Sequence, residues 1–435
     1  MGCPGIMVSW CRGVDQIVII NYSLLITNYI FFGNLQIKSP LLSSLKPSAS
    51  FVYTEQNRVE LISGGAPYFQ RLLEMIGRAE EVIHFQTYIY DADETGMKVT
   101  NALCEAATRG VKVYLFLDGY SSKDLSHDFR KETREKGVQL RWFQPLLKSK
   151  YFYFGRRLHH KVVVIDGKEG LVGGINISNR YNDLPDKPAW LDWALWVQGD
   201  TAIQLEQLCI RMWNKSLYRR SSMLPIKERT LNHTTEAPCY VRVRRNDWVA
   251  GKVEITRSYL EMLHRANDEI IIMSSYFLPG RLIRTALAKA IRRGVKVKLI
   301  ISGISDVDLA KAAEKYWYPW LLRNNIRIYE YLPRVLHGKL SCYDRKWVTI
   351  GSYNVNNISA YASIELNLDV LNNEFAEKTT EELNRIIREE CNEITPERFV
   401  RKTHWPAKFW YWLSYEIYRL TVYLFTFYFR QKEKE

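Results

Sequence analysis

The sequence predicts an α/β protein made of two copies of one unit, each with a sheet flanked by helices. Three observations support this prediction: a motif that occurs twice at one internal spacing, short sequences shared between the two halves, and alternating strand-like and helix-like segments. A long internal repeat of this kind indicates a duplicated domain. We therefore expect two mixed, mostly parallel sheets related by a pseudo-twofold axis.

The repeated motif contains a histidine, a lysine, an aspartate, a pair of small residues and an asparagine. In the first copy these are His159, Lys161, Asp166, Gly173, Gly174 and Asn176. In the second copy they are His337, Lys339, Asp344, Gly351, Ser352 and Asn354. The spacing is identical in the two copies, which excludes a chance match.

The other elements follow the same order in both halves. The first half has helical periodicity over 66–78, a strand over 82–90, a helix over 97–108 and a strand over 111–117. The second half repeats this with a strand over 270–276, a helix over 282–291 and a further strand from 295. Strands that alternate with helices favour a mostly parallel sheet covered on both faces.

The composition predicts where the domains begin and end. We expect an apolar leader or membrane segment at 1–50, domains at 52–218 and 241–395, a polar linker at 219–240, and an aromatic, basic tail at 396–435. The uncharged run 16–37 is long enough to span a bilayer, but its polar residues leave an interfacial segment or a non-native leader as alternatives. The tail suits either the membrane interface or docking on the protein core.

The net charge and the cysteines narrow the class of protein. The chain has 61 Lys and Arg against 47 Asp and Glu, a net charge of +14, which favours a polyanionic partner such as nucleic acid or an anionic membrane. Its seven cysteines are scattered and form no CxxC pair. We therefore expect no disulfide framework and no zinc site, and a reducing, cytoplasmic-side location.

The motif residues are suited to chemistry at a phosphorus atom. His159 and Lys161 share one face of a strand, whereas His160 points away and is interpreted as a structural or surface histidine. Two motifs brought together place one histidine on each side of a phosphorus, as in-line displacement requires. The lysines and the asparagines, Asn176 and Asn354, would neutralise the nonbridging oxygens.

The two motif aspartates are harder to interpret. Asp166 and Asp344 each stand directly before a turn, where aspartates often bind backbone N–H groups. Support for the fold is favoured over direct chemistry, although both residues are kept among the candidate catalytic residues.

The paired motif resembles the HKD motif of the phospholipase D superfamily, and the layout of the chain is most similar to that of bacterial cardiolipin synthases. The resemblance implies a duplicated phospholipase D-like fold with one shared active site. It implies six catalytic residues: His159, Lys161, Asp166, His337, Lys339 and Asp344. It also implies a phosphohistidine intermediate and no metal or other cofactor.

Further residues follow or depart from the family pattern. Ser359, Glu365 and Asp192 match it, and Glu365 is a candidate to fix the tautomer of a histidine ring. The first half departs from the second at two places. Gly174 stands where the second half has Ser352, and Tyr181 stands where it has Ser359.

The function implied by the resemblance is transfer of a phosphatidyl group from phosphatidylglycerol, or a similar phospholipid, to a lipid hydroxyl. His159 is the predicted nucleophile and His337 the predicted general acid. The alternatives are a phospholipase D, a nucleic-acid phosphodiesterase and a non-catalytic membrane-binding protein. We expect phospholipid substrates, an anionic membrane surface as a partner and no nucleic acid. The protein is expected on the cytoplasmic side of the cell membrane, peripheral or anchored. The oligomeric state is left open.

Overall fold

The computed structural model describes residues 52–144, 156–215, 223–226, 229 and 239–430 of the 435-residue chain. The predicted leader at 1–50 lies outside the described residues, and so does most of the predicted linker at 219–240.

The first half contains a seven-stranded sheet. Its strands are β1 (Asn57–Ser63), β2 (Val82–Thr87), β3 (Lys112–Asp118), β4 (Gln139–Phe143), β6 (Lys161–Ile165), β7 (Glu169–Gly173) and β8 (Trp193–Gly199). A short strand of the same half, β5 (Arg157–Leu158), lies outside this sheet. The sheet order is β1-β8-β7-β6-β2-β3-β4. Its helices are α1 (Ala66–Gly77), α2 (Glu94–Thr108), α3 (His127–Glu135) and α4 (Asp200–Lys215).

The second half repeats this plan around a larger sheet. Its strands are β9 (Tyr240–Asp247), β10 (Lys252–Val253), β11 (Glu269–Ser274), β12 (Lys296–Ser302), β13 (Arg327–Tyr331), β14 (Leu340–Tyr343), β15 (Trp347–Gly351), β16 (Ser363–Leu371) and β17 (Cys391–Ile394). The order is β10-β9-β16-β15-β14-β11-β12-β13-β17. Its helices are α5 (Glu254–Arg265), α6 (Arg281–Arg292), α7 (Asp308–Lys315), α8 (Tyr318–Arg323), α9 (Asn357–Tyr361), α10 (Asn373–Glu390), α11 (Pro396–Lys402) and α12 (Trp405–Arg430).

The sheets are mixed, as predicted, but their parallel part is smaller than the sequence suggested. Along the two strand orders of the described residues, β2-β3-β4 and β11-β12-β13 pair in parallel and the other neighbours are antiparallel. The motif strands explain the difference. Asp166 and Asp344 adopt φ angles of 54° and 50° in tight turns, and so short a connection can only join antiparallel strands.

The two sheets meet face to face across a shared apolar core. Val162, Leu195, Leu340 and Leu366 belong to this core, which draws buried residues from both halves. Each sheet also packs against its outer helices through an apolar core of its own. The strand β5 extends the contact, because it pairs in parallel with β16 of the other half. The ends of the two motif strands are thereby placed at a common junction.

The final helix, α12, packs on the second half through one face and exposes the other. The Tyr415 ring stacks on Tyr316 at 4.6 Å, and the Tyr418 hydroxyl accepts a hydrogen bond from the Asn357 N–H at 3.0 Å. On the other face, Trp405 is 79% exposed and Phe409 55%. Among the described residues, no helix has both the length and the apolar character needed to cross a membrane.

Candidate active site

The backbone of each motif histidine is held by the opposite half of the molecule. The His159 N–H donates to the carbonyl of Ile364 at 3.0 Å, next to the pairing of β5 with β16. The His337 N–H donates to the carbonyl of Leu191 at 2.7 Å. Each half thus holds the histidine backbone of the other, so neither half positions its own histidine alone.

The ring of each motif histidine is also held by a residue of the opposite half. The Nδ1 atom of His159 lies 3.0 and 2.9 Å from the two carboxylate oxygens of Glu365 in the second half. The Nδ1 atom of His337 lies 2.6 Å from Oδ2 of Asp192 in the first half. A carboxylate at Nδ1 fixes the tautomer with the proton on that nitrogen. The Nε2 atom of each ring is then left for chemistry.

Burial favours the neutral form of both imidazoles. Desolvation lowers the pKa of His159, although Glu365 opposes this effect. Desolvation and the neighbouring Lys339 lower the pKa of His337 well below its usual range. Desolvation raises the pKa of Asp192 to about 6, whereas the pKa of Glu365 is lowered because His159 and Lys161 outweigh its burial. A neutral imidazole with a free Nε2 lone pair is a nucleophile or a general base.

The two motif lysines are buried cations beside the histidines. The Lys161 ammonium donates to the His159 carbonyl at 2.6 Å and lies 5.3 Å from the Tyr88 ring centroid. The Lys339 ammonium donates to the His337 carbonyl and, at 3.0 Å, to the Ser275 hydroxyl. Desolvation lowers the pKa of Lys161 to about 7 and that of Lys339 to about 8. An anion bound between them would favour the charged form of both.

The difference between Gly174 and Ser352 follows from the carboxylates. The Ser352 hydroxyl donates to the Glu365 carboxylate, which supports the partner of His159. At Gly174 the equivalent space is already occupied, since an added Cβ would lie 2.3 Å from Oδ1 of Asp192. The glycine therefore makes room for the partner of His337.

The motif asparagines lie beside the same junction. The Asn176 side-chain oxygen accepts the Ile89 N–H at 3.1 Å, which leaves its NH₂ group as a donor. The side-chain oxygen of Asn354 is buried and has no hydrogen-bond partner. Ser359 differs, because its contact is structural: its N–H donates to Oδ1 of Asn356 at 2.8 Å. Asn356 thereby caps the N-terminus of α9.

The structure places the motif aspartates at the opposite end of the motif strand from the histidines. The Asp166 carboxylate accepts three backbone N–H groups, from Glu80, Glu81 and Val82, at 2.7–3.0 Å. The Asp344 carboxylate accepts the N–H groups of Asn267, Asp268 and Glu269 at 2.8–2.9 Å. Seven residues of extended chain separate each aspartate from its histidine by ~20 Å. This geometry favours support of the fold over direct chemistry for both aspartates, and their place among the candidate catalytic residues stays a prediction.

Several residues around the histidines were not predicted to be part of the site. The Tyr88 ring meets His159 edge-on at 4.8 Å, and the Tyr181 ring meets His337 at 5.1 Å. In the sequence, Tyr181 stands out only as a departure from the repeat, and this departure is the signal that could have assigned it to the site. His160 is buried and its Nε2 lies 2.9 Å from Oε1 of Gln86, in agreement with the structural interpretation.

A duplicated α/β fold with one histidine and one lysine from each half at a shared junction defines the phospholipase D-like class. A family profile described as "Cardiolipin synthase, PLD-like domain" matches residues 72–191 and again residues 259–387. Cardiolipin synthase B of Salmonella typhimurium is 34% identical over 357 residues, covering 81% of this chain and 86% of that protein. Cardiolipin synthase B of Escherichia coli strain K12 is 32% identical over 359 residues, with the same coverage of 81% and 86%.

A solved structure agrees with the fold. Phosphatidylserine synthase from Haemophilus influenzae Rd KW20 aligns with a TM-score of 0.67 at 12% identity, covering 87% of this chain and 97% of that one. At this identity the likeness concerns the fold alone. The protein belongs to the cardiolipin synthase family of the phospholipase D superfamily, which confirms the class of phosphatidyltransferase predicted from the paired motifs.

Proposed function

We propose that the protein transfers a phosphatidyl group from a phosphatidylglycerol-like donor to the hydroxyl of an acceptor lipid. The observation that carries this proposal is the reciprocal pairing of His159 with Glu365 and of His337 with Asp192. Two neutral imidazoles with Nε2 available, next to two buried lysines, are the groups that a double displacement at phosphorus needs.

In the first step, Nε2 of His159 attacks the donor phosphorus, and the bond from phosphorus to the headgroup oxygen breaks. The leaving oxygen takes a proton from Nε2 of His337. Burial lowers the pKa of His337 in the free protein, and the bound phosphodiester anion favours the protonated form that this step uses. The product of the step is a phosphatidyl group bonded to His159.

In the second step, the acceptor hydroxyl gives its proton to Nε2 of His337, which is now neutral. The acceptor oxygen attacks phosphorus, and the bond from phosphorus to His159 breaks. Lys161, Lys339 and the two motif asparagines hold the nonbridging oxygens in both steps. The protein is restored without any net change in protons.

The preference for an alcohol over water depends on positioning. A well-oriented acceptor reaches an effective molarity of ~10⁵ M or more, which exceeds the concentration of water. Phosphatidylglycerol in a membrane is such an acceptor when its headgroup enters the junction. A phospholipase D would share the first step but hand the phosphatidyl group to water.

We place this reaction at the cytoplasmic surface of an anionic membrane. Support comes from the net charge of +14 and from the exposed apolar face of α12, which includes Trp405, Phe409 and Leu420. Aromatic residues on an interfacial helix favour the headgroup region, and each basic residue near an anionic surface adds ~1 kcal/mol. The protein would then be peripheral through this helix, with the segment before residue 52 as a candidate anchor.

The direct test supplies vesicles that contain labelled phosphatidylglycerol and separates the products by thin-layer chromatography. We expect a lipid with two phosphatidyl groups to exceed phosphatidic acid. His159→Ala and His337→Ala should each abolish turnover, whereas His127→Ala, at an exposed position on α3, should not. Predominant phosphatidic acid would make the protein a phospholipase, and cleavage of single-stranded DNA in a parallel reaction would favour a nuclease.

A further inference from the structure

The loop that follows β12 is fixed beside His337. The Ser302 hydroxyl at the end of the strand accepts the Leu336 N–H at 3.1 Å and donates to the Ile304 carbonyl. Leu336 directly precedes His337, so the loop and the catalytic histidine are tied to the same hydroxyl. The loop carries an exposed carboxylate, Asp306.

A second anchor holds Asp306 at the rim of the site. The Tyr276 hydroxyl donates to Oδ1 of Asp306. Tyr276 directly follows Ser275, whose hydroxyl accepts from the Lys339 ammonium at 3.0 Å. The charge of Asp306 is close enough to act on the catalytic groups. Burial lowers the pKa values of His337 and Lys339, and Asp306 opposes both shifts.

Asp306 differs from the other carboxylates near the site. Each of the other carboxylates pairs with a basic side chain: Asp192 with His337, Glu365 with His159, and Asp118 with Arg157. Asp306 forms no ion pair with a basic side chain among the residues that the structure describes. An unpaired carboxylate beside a phosphate site repels the phosphate, so its presence there calls for a ligand group that donates hydrogen bonds.

The carboxylate is present on one side of the site only. Ser122 occupies the equivalent place in the first half, as the fourth residue after β3 where Asp306 is the fourth after β12. The Ser122 hydroxyl is buried and fully used, since it accepts the Tyr90 N–H and donates to the Tyr88 carbonyl, both at 3.0 Å. At this position, and among the described residues, the side of His337 therefore has a carboxylate where the side of His159 has a serine hydroxyl bound within the fold.

We infer that Asp306 binds a hydroxyl group of the polyol headgroup that enters or leaves on the His337 side, and so selects glycerol-bearing acceptors. This inference rests on the proposed function, in which the leaving and the incoming alcohol both exchange a proton with His337. An ionised carboxylate accepts hydrogen bonds and donates none, and Tyr276 occupies one of its oxygens. A cationic headgroup suits the position less well, because Lys161 and Lys339 repel it.

The test measures how one intermediate divides between two alcohols. Phosphatidylglycerol is incubated with equal concentrations of deuterated glycerol and 1-propanol, and mass spectrometry reads the ratio of deuterated phosphatidylglycerol to phosphatidylpropanol for each variant. Both products come from the same phosphatidyl-enzyme, so the ratio does not depend on the first step. We expect the wild type to favour glycerol and Asp306→Ala to lower the ratio about tenfold or more.

Three variants separate this role from a structural one. Asp308→Asn changes a nearby exposed carboxylate at the start of α7 and should leave the ratio unchanged. Asp306→Asn retains an acceptor oxygen and should keep part of the preference. Tyr276→Phe frees one anchor of the carboxylate and should lower the preference less than Asp306→Ala does.

An unchanged ratio in Asp306→Ala would overturn the inference and leave the proposed transfer reaction intact. A wild-type protein that prefers ethanolamine, and loses that preference in Asp306→Ala, would make Asp306 an ammonium site instead. Formation of phosphatidic acid alone by the wild type, with neither alcohol used, would be a failure of the proposed function rather than of the role of Asp306.

Discussion

At each motif histidine, a carboxylate from the other half lies at Nδ1, and in the proposed reaction this contact leaves Nε2 to face the substrate. Glu365→Gln and Asp192→Asn preserve shape but remove the charge that orients His159 and His337. We expect kcat to fall roughly 10²- to 10⁴-fold in each variant, since this is the range for a positioned acid–base group. Steady-state kinetics on a short-chain soluble donor measures the effect. Near wild-type kcat in either variant would contradict the assigned role of that carboxylate.

The lysines give the site a dependence on pH near neutrality. Desolvation lowers the pKa of Lys161 to about 7 and that of Lys339 to about 8 in the free protein. Both are charged below these values and lose their charge as the pH rises, so phosphate binding weakens in that direction. We expect KM for the donor to rise between about pH 7 and 9. Lys339→Arg keeps its charge over this range and should flatten the rise; a KM independent of pH in the wild type would contradict this account.

The residues of the site were predictable where the repeat marked them and not elsewhere. Identical spacing in the two halves identified the histidines, lysines and asparagines, and Glu365 was expected to orient a histidine. That Asp192 performs the same task for His337 was not foreseen, because the pairing joins residues of different halves. Asp166 and Asp344 were kept among the candidate catalytic residues because they belong to the motif, although their position before a turn already favoured a supporting role.

Among the elements, the motif strands depend on the aspartates at their far ends. Asp166 and Asp344 each accept three backbone N–H groups, which joins the turn after the motif strand to the start of β2 or β11. Hydrogen bonds to a charged group contribute about 1.5–3 kcal/mol each, although their sum is not additive. Asp166→Ala should therefore lower the free energy of unfolding by about 2–4 kcal/mol.

Thermal and urea unfolding measure this loss of stability, and Asp128→Ala, on the exposed side of α3, serves as the control. The activity per folded molecule of Asp166→Ala should stay within a few-fold of the wild type. A stable but inactive Asp166→Ala protein would return this residue to the catalytic group.

Of the two roles that the sequence left open for the tail, docking on the core is seen in helix α12, and binding at the membrane interface stays a prediction. Tyr415 and Tyr418 dock it on the second half, while Trp405, Phe409 and Trp410 remain exposed. Replacing the three exposed residues by serine should weaken binding to anionic vesicles and leave turnover of a soluble short-chain donor unchanged. Co-sedimentation at low and high salt measures the binding. Unchanged binding under both conditions would show that this face has another purpose.

Over the whole molecule, the sequence predicted the duplication, the mixed sheets and the shared site, and it overestimated their parallel part. Alternating strands and helices are typical of parallel sheets, but the turns at Asp166 and Asp344 send the following strands back antiparallel. The contact between the halves was not visible in the sequence. A strand such as β6 is a run of apolar residues whether it packs against helices or against another sheet, so its sequence does not distinguish the two.

The proposed function makes one histidine the carrier of the phosphatidyl group, and trapping that intermediate tests this proposal most directly. The protein is mixed with a donor labelled in its phosphatidyl group, quenched within one turnover, digested and mapped by mass spectrometry. The account predicts label on the peptide that contains His159, none on the peptide that contains His337, and none at all in His159→Ala. Label on His337, on both histidines, or on neither during active turnover would contradict it.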